Sequence, residues 1–407
     1  MPSSISLTRT VSMSVRPALR TLSVAASSSS IRTFASTPSA ASSSASSANI
    51  AVVPSRSIIE LTGRDTEKLM QGLVSNDVRR LTKKETTLLY SAFANPQGRM
   101  LADSFLHRLE SNSSTADDVR WMLDIDSRSL SSLLTFIKKF KLRSKVKLRD
   151  VTDEFAVLQA WSLHQDPTRW EDGAEDPRMP GMGFRAVVPK SIDPAALAAQ
   201  SEAQLVEGDE YTIHRFLNGV GEGALDFPES TSLPLENNID YMNGVDFRKG
   251  CYVGQELTAR THHTGVVRKR IVPLVLCPAD APSSSSKMQL EVDRTADFEL
   301  PDHLAEVRSK PLSPASPTTT EPVKTRQTPT RGKAAGKFTS GIHNIGLGCL
   351  RLEQVLRWSD PNSDHSAPMD ALQMSVQARD GTLLRVRPFV PTWWPEPPSR
   401  SDSSDQD

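Results

Sequence analysis

The 407-residue chain carries 48 Lys and Arg against 48 Asp and Glu, and 37% of it is apolar. Zero net charge without a long basic face argues against nucleic acid as the main partner, and no run approaches the roughly 18 apolar residues of a membrane helix. Three cysteines, at 251, 277 and 349, are too few for a disulfide framework or for a self-contained iron–sulfur site.

The first acidic residue is Glu60; before it Arg9, Arg16, Arg20, Arg32 and Arg56 are scattered among Ser, Thr and Ala. An Arg-rich, Ser-rich, acid-free start without a compact apolar core has the composition of an organellar transit peptide. "IRTFAST" (31–37) suits processing near Phe34, so residues 1–34 read as transit peptide and 35–56 as a disordered linker. Removing 1–34 takes away four Arg and no acid, leaving 44 basic against 48 acidic residues.

From residue 57 the pattern is regular. "RSIIELTG" predicts a strand and "DTEKLMQGLVSND" (65–77) an amphipathic helix with Leu69, Met70 and Leu73 on one side. "LLYSAFANPQGRMLADSFLHRL" predicts a hairpin whose turn is Asn95-Pro96-Gln97-Gly98. "VRWMLDID" is a strand, after which Asp126 or Ser127 can cap a helix through "SLSSLLTFIKKF", with lysines favourable to the dipole in its last turn. "SKVKLRDV" and "FAVLQAW" return to strand alternation. Residues 163–206 give weaker signals, a polar Pro-containing loop and a helix in "DPAALAAQSEAQL" (193–205). "DEYTIHRFLNG" is a helix ending at Gly219. Residues 219–265, rich in Gly, Asn, Asp and Pro, read as a loop system or a site. "GVVRKRIVPLVL", "GIHNIGLGCLRLE" and "TLLRVRPFV" are strand signals of a C-terminal β domain over 266–392, interrupted by a low-complexity insertion at 283–336 read as disordered. Residues 393–407 read as a mobile tail. Strands and helices without βαβ spacing indicate an α+β chain.

The chemistry concentrates in "RKGCYVGQELTARTHHTG" (248–265). Arg248 and Lys249 set positive charge beside Cys251, which favours thiolate. If "GQELTAR" is helical, Cys251 lies just before its N-terminus. Gly250 and Gly254 allow close backbone approach. Cys251 could equally pack as a small hydrophobe beside Tyr252 and Val253. His262 and His263 are close enough in sequence to serve as a base, but such a pair in a polar loop is more often solvated. Glu256 can accept from a guanidine-like ring edge or pair with Arg260 along a helix, and Arg260 can hold a ligand carboxylate.

"KGCYVGQELTART" followed by "HTGVVRKR" resembles the signature of the folate-binding aminomethyltransferase-like (glycine-cleavage T-protein-like) family, in the branch serving iron–sulfur cluster assembly. "LTGRDTEKLMQGLVSNDV" (61–78), "FANPQGRMLADSFLHRL" (93–109), the block from Phe216 to Glu256 and "IGLGCLRLE" (345–353) resemble its other segments, in order. The resemblance spans 57–276 and 338–390. It implies a three-part fold around a central channel with a C-terminal β barrel, the first 57–265 region being the folate-binding one. It implies a tetrahydrofolate pocket, for which Asp103, Glu222, Asp226 and Arg260 are candidates, Asp103 at the position of the transferases' assisting aspartate. It implies maturation of [4Fe–4S] proteins in the mitochondrial matrix, aconitase-type and radical-SAM enzymes among the clients, with A-type iron–sulfur carrier proteins as partners. Cys251 would then be the functional thiol and a transient cluster ligand, set in the motif Lys249, Gly250, Cys251, Tyr252, Gly254, Gln255 and Glu256, with no stably bound metal. Two alternatives stay open: a folate-dependent aminomethyl or one-carbon transferase, and a folate-binding scaffold in which Cys251 is merely packed.

Overall fold

The computed structural model describes residues 48–109, 120–162, 173–280, 289–311, 332–359 and 372–395. The expected transit peptide (1–34) and most of the expected tail lie outside them.

Three β units account for the described strands. The first is a five-stranded antiparallel sheet in the order β3-β4-β5-β2-β6, from β2 (Arg56–Thr62), β3 (Leu88–Ala94), β4 (Met100–Arg108), β5 (Arg120–Asp126) and β6 (Lys147–Asp150). Every residue of β3 is buried. Leu88, Tyr90 and Ala92 face one core cluster while Leu89 and Phe93 face another. Burial on both faces is why this antiparallel hairpin reads as a continuous apolar run rather than an alternating one. Helix α3 (Leu130–Lys141) covers one face through Leu133 and Ile137. Asp126 accepts from the Arg128 N–H at 2.8 Å and so caps the short turn leading into it.

The helix expected over 65–77 is shorter. It stops at Gln71 as α1 (Thr66–Gln71), and a one-turn α2 (Arg79–Thr82) follows.

The second sheet runs β10-β1-β7-β9-β8, from β1 (Asn49–Val52), β7 (Phe155–Trp161), β8 (Ala174–Glu175), β9 (Phe184–Pro189) and β10 (Gln204–Val206). β1 and the first residue of β2 lie inside the segment expected to be a disordered linker (35–56), so that expectation fails from Asn49 on; β1 is paired on both sides, antiparallel to β7 and parallel to β10. The helix predicted over 193–205 ends at Gln200 as α4 (Pro194–Gln200), because Gln204–Val206 is drawn into that parallel pair.

The third unit is a closed six-stranded barrel, β11-β14-β13-β12-β15-β16, from β11 (Lys269–Pro278), β12 (Glu306–Pro311), β13 (Lys333–Ile342), β14 (Ile345–Arg351), β15 (Leu372–Gln377) and β16 (Leu383–Pro388). The region expected as a disordered insertion (283–336) contributes β12, whose pairing with both β13 and β15 closes the barrel. Phe298 and Leu300 pack against the same barrel core. Closure leaves no sheet edge unpaired, which is the physical gain from recruiting this strand. Residues 281–288 and 312–331 lie outside the described residues.

Between the second sheet and the barrel come α5 (Gly208–Leu217), the one-turn α6 (Gly223–Asp226) and α7 (Gln255–Thr264); α8 (Leu352–Ser359) follows β14. The segment before α7 is tied to the barrel. Arg270 of β11 grips Asp240 with two bonds of 2.9 Å, donates to the Leu235 carbonyl and lies 3.6 Å over the Tyr241 ring.

Candidate functional site

The loop carrying the cysteine is strapped to the turn that follows α1. Lys249 Nζ donates to the carbonyls of Gln71, Val74 and Asn76 at 2.9, 2.6 and 2.9 Å. The Val253 N–H donates to the Gly72 carbonyl at 3.0 Å, and the Val253 side chain packs against the first sheet's core. Gly254 then takes φ +81°, and a Cβ there would lie 2.3 Å from the Asn95 carbonyl oxygen, so only glycine lets the loop seat on the β3–β4 turn. Gly98 faces the same contact from the turn's side, against Leu257 and Gly254. Gln255 opens α7 and its Oε1 accepts from the Tyr252 N–H at 3.2 Å. Between the two straps, Gly250 meets nothing within 4 Å of an added Cβ and Cys251 is exposed.

This placement bears on one reading of the thiol, that it is merely packed. Cys251 is not packed in a turn; it sits on the crest of a loop held on both sides. The Lys249 ammonium is turned to the three carbonyls of Gln71, Val74 and Asn76 and lies 5.0 Å over the Tyr252 ring. Cys277 lies in β11 and Cys349 in β14. Burial pushes the Cys349 thiol up to about 12.

A second cluster lies where the first two sheets meet α5 and α6. Glu222 is its hub. Its carboxylate accepts from Arg178 Nη1 at 2.6 Å and the Tyr211 hydroxyl at 2.6 Å, with Arg185 at 3.4 Å and Arg56 at 3.5 Å. Arg56 and Arg185 also clamp the two oxygens of Asp124 at 2.6 and 2.7 Å. Arg178 chelates Asp176, and Arg215 donates to Asp226 at 2.9 Å. The Phe105 ring lies 4.1 Å from the Arg185 guanidinium and 4.8 Å from that of Arg178. Burial opposes the charge on Glu222, yet Arg185, Arg178 and Arg56 together hold it well below the usual carboxylate range.

Asp103 is the exception. It is 1% exposed, accepts from the Gly223 N–H at 3.0 Å and lies 3.4 Å from the Tyr90 hydroxyl, with no ion-pair partner among the described residues. Burial pushes its carboxyl up to about 6; Arg56 opposes the rise and Glu222 adds to it. Counting explains this. Four guanidiniums (56, 178, 185, 215) face five carboxyls (103, 124, 176, 222, 226), and Asp103 is the one left over.

Two clefts open onto this cluster. One of about 420 Å³ lies between the 226–237 segment and the barrel, with Asp226, Glu236, Lys269 and Cys349 in its wall. The other, of about 690 Å³, has Tyr90 and Asp176 in its wall. Both volumes fall in the range of small-molecule sites.

Of the residues singled out from sequence, Asp103, Glu222 and Asp226 come together. Asp226 is bound by the Glu222 N–H and by the Ser340 hydroxyl of β13, a tie to the barrel. Arg260 does not join them: it is exposed on α7, as is Glu256, and no ion pair links these two among the described residues. His262 stacks on Phe247 with ring centroids 3.6 Å apart, which joins the last turn of α7 to the start of the thiol loop. Sequence reasoning missed Asp124, Arg178, Arg185, Asp176, Tyr211 and Arg215, and grouped Arg56 with the N-terminal arginines although it begins β2. The available signal was charge inside apolar strands, as in "MLDID" and "FRAVV".

Residues 268–396 match the family described as CAF17, C-terminal beta-barrel domain. A Mycosarcoma maydis protein named iron-sulfur cluster assembly factor IBA57 homolog, mitochondrial, is 55% identical over 368 residues, covering 88% of this chain and 87% of that protein. Proteins of the same name from Neosartorya fischeri and Aspergillus fumigatus are 37% and 38% identical over 391 and 386 residues, each covering 84% of this chain and 81% of the relative. Among solved structures, the glycine cleavage system aminomethyltransferase T from Bartonella henselae matches with a TM-score of 0.55 at 13% identity, over 85% of this chain and 86% of that one.

Proposed function

The chain belongs to the family of mitochondrial iron–sulfur cluster assembly factors named IBA57, and on that premise we propose that it matures mitochondrial [4Fe–4S] proteins by offering Cys251 to a cluster carried by a partner. The observation that supports this is the presentation of Cys251, exposed between straps at Lys249 and Val253. One thiolate cannot hold a cluster, but it can add a ligand at an interface whose other ligands come from a carrier of the A type. The work is therefore done in a complex in the mitochondrial matrix. The cluster is cargo, and this chain's part is to bind, orient and release it.

The test is rescue of cells lacking the protein with wild type or Cys251→Ala at matched levels. Aconitase-type activity is expected to recover only with wild type, while a mitochondrial [2Fe–2S] enzyme in the same lysate is unaffected by the choice. Full recovery of aconitase with Cys251→Ala would refute the thiol's role.

The surface beside the thiol suits an anionic cargo. Arg248 and Arg260 are exposed on either side of the motif, with Glu256 as the opposing charge on α7, and a thiolate-ligated cluster carries net negative charge. Reversing Arg260 to Glu is expected to weaken carrier binding about fivefold at low salt, with the difference shrinking as ionic strength rises. Titrating the purified pair at two salt concentrations checks it.

A folate-type ligand is favoured by one observation: Asp103 is the buried carboxyl without a cation, and its neighbour Tyr90 lines a cleft. Glu222 and Asp226 are held in ion pairs and Arg260 is exposed on α7, so of the four candidates Asp103 alone is a buried carboxyl without an ion-pair partner among the described residues. Tetrahydrofolate would supply a one-carbon carrier there; the protein's share is to orient it and hold a proton on the carboxyl.

A further inference from the structure

The sequence places Lys249 two residues before the thiol, where a cation would promote ionisation. The structure sends it elsewhere. Its ammonium has three N–H donors and finds three carbonyls, those of Gln71, Val74 and Asn76, in the turn that closes α1. The first of these is a helix-end carbonyl that has no partner inside its own helix. A compact ammonium with three rotatable donors matches converging carbonyls, whereas a planar guanidinium fork does not. Two further bonds follow the same line: Asp246 N–H to the Ser75 carbonyl at 3.1 Å and Val253 N–H to the Gly72 carbonyl at 3.0 Å. Residues 246–253 thus lie along 71–76, with Gly250 and Cys251 exposed between the Lys249 and Val253 contacts. Asp77, Arg79 and Asp246 are the charged groups nearest the ammonium, and the Tyr252 ring covers it.

We propose that Lys249 is a positioning residue whose ammonium pins the thiol loop to the turn after α1 through three carbonyls, setting where Cys251 stands. The proposal gives meaning to the working thiol described above, but its test does not depend on that reading, since the loop is measured directly and without any assay of cluster assembly.

Three measurements on the mature protein decide it. In wild type labelled with ¹⁵N-lysine, the Lys249 ammonium is expected to give a slowly exchanging signal, unlike the solvent-exposed lysines, identified by its loss in Lys249→Arg. Hydrogen exchange of the Val253 amide is expected to rise roughly tenfold in both Lys249→Met and Lys249→Arg while the amides of β11 and β14 keep their protection. The pH midpoint for alkylation of Cys251 by iodoacetamide, read at the peptide level so that Cys277 and Cys349 do not interfere, is expected to be the same in all three proteins. The proposal is overturned if Lys249→Arg keeps wild-type protection at Val253, or if the alkylation midpoint rises in Lys249→Met and returns in Lys249→Arg. Those results would make Lys249 a simple cation beside the thiol. Should Lys249→Met lose protection throughout the barrel, the wild-type ammonium signal decides alone, and fast exchange with water overturns the assignment.

Discussion

Arg178→Met is expected to lower the unfolding free energy by about 3–5 kcal/mol, the range for removing one partner of a fully buried ion pair. Arg178 is wholly buried, chelates Asp176, and reaches both Glu222 and the Tyr211 hydroxyl. Methionine fills much of the volume, so the cost is electrostatic rather than a cavity. Five carboxyls would then face three guanidiniums, and Asp176 would lose its ion-pair partner among the described residues. Urea unfolding followed by far-UV circular dichroism checks it. A fall below about 1 kcal/mol would mean that water or rearrangement replaces the arginine, and that the cluster is not the closed network described.

Asp103→Asn should act in the opposite direction. A carboxyl whose pKa is raised on folding, here from 3.8 to about 6, contributes stability that is present below pH 3.8 and lost as pH climbs through 6. Above that, wild type carries an ionised fifth carboxylate that the four guanidiniums do not need. Asparagine can still accept from the Gly223 N–H, and it carries no charge. The variant is therefore expected to be more stable than wild type by about 2–3 kcal/mol at pH 7–8, with the difference vanishing near pH 4. Unfolding curves for both proteins across that pH range test this directly. Equal stability at every pH would show that Asp103 is not strained. A residue kept at such a cost is a candidate for function, and the same substitution is expected to weaken any folate binding at this site.

The parts of the fold legible in sequence are those whose signal is local. The β3–β4 hairpin announced itself through a four-residue turn flanked by apolar runs, and the barrel through strands after residue 266. The thiol loop was legible for the same reason, since its glycines, cysteine and glutamine are contiguous. β12 was hidden because six residues of strand are flanked by low-complexity sequence that dominates the local composition. The charge cluster was hidden for a different reason: Arg56 and Glu222, which meet in it, are 166 residues apart. Lys249 shows the converse, a local signal whose partners lie far off in sequence. Adjacency to Cys251 along the chain drew attention to its charge and gave no sign that its side chain bonds to the carbonyls of Gln71, Val74 and Asn76.

The bond between β11 and the segment ahead of the thiol loop has a consequence for how the protein is made. Asp240 and Tyr241 are held by Arg270, and the Asn238 side chain donates to the Ile271 carbonyl at 2.8 Å. A chain that emerges N-terminus first delivers Cys251 before the strand that steadies its support. Until Arg270 and Ile271 arrive, the segment ahead of the loop lacks these bonds, while the loop's own straps to residues 71–76 are already within the emerged chain. A chain ending between the two would carry Cys251 and its straps to residues 71–76 but lack the Arg270 and Ile271 bonds to the preceding segment. The support of the cysteine loop thus draws on both flanks of the chain, residues 71–76 before it and the first barrel strand after it.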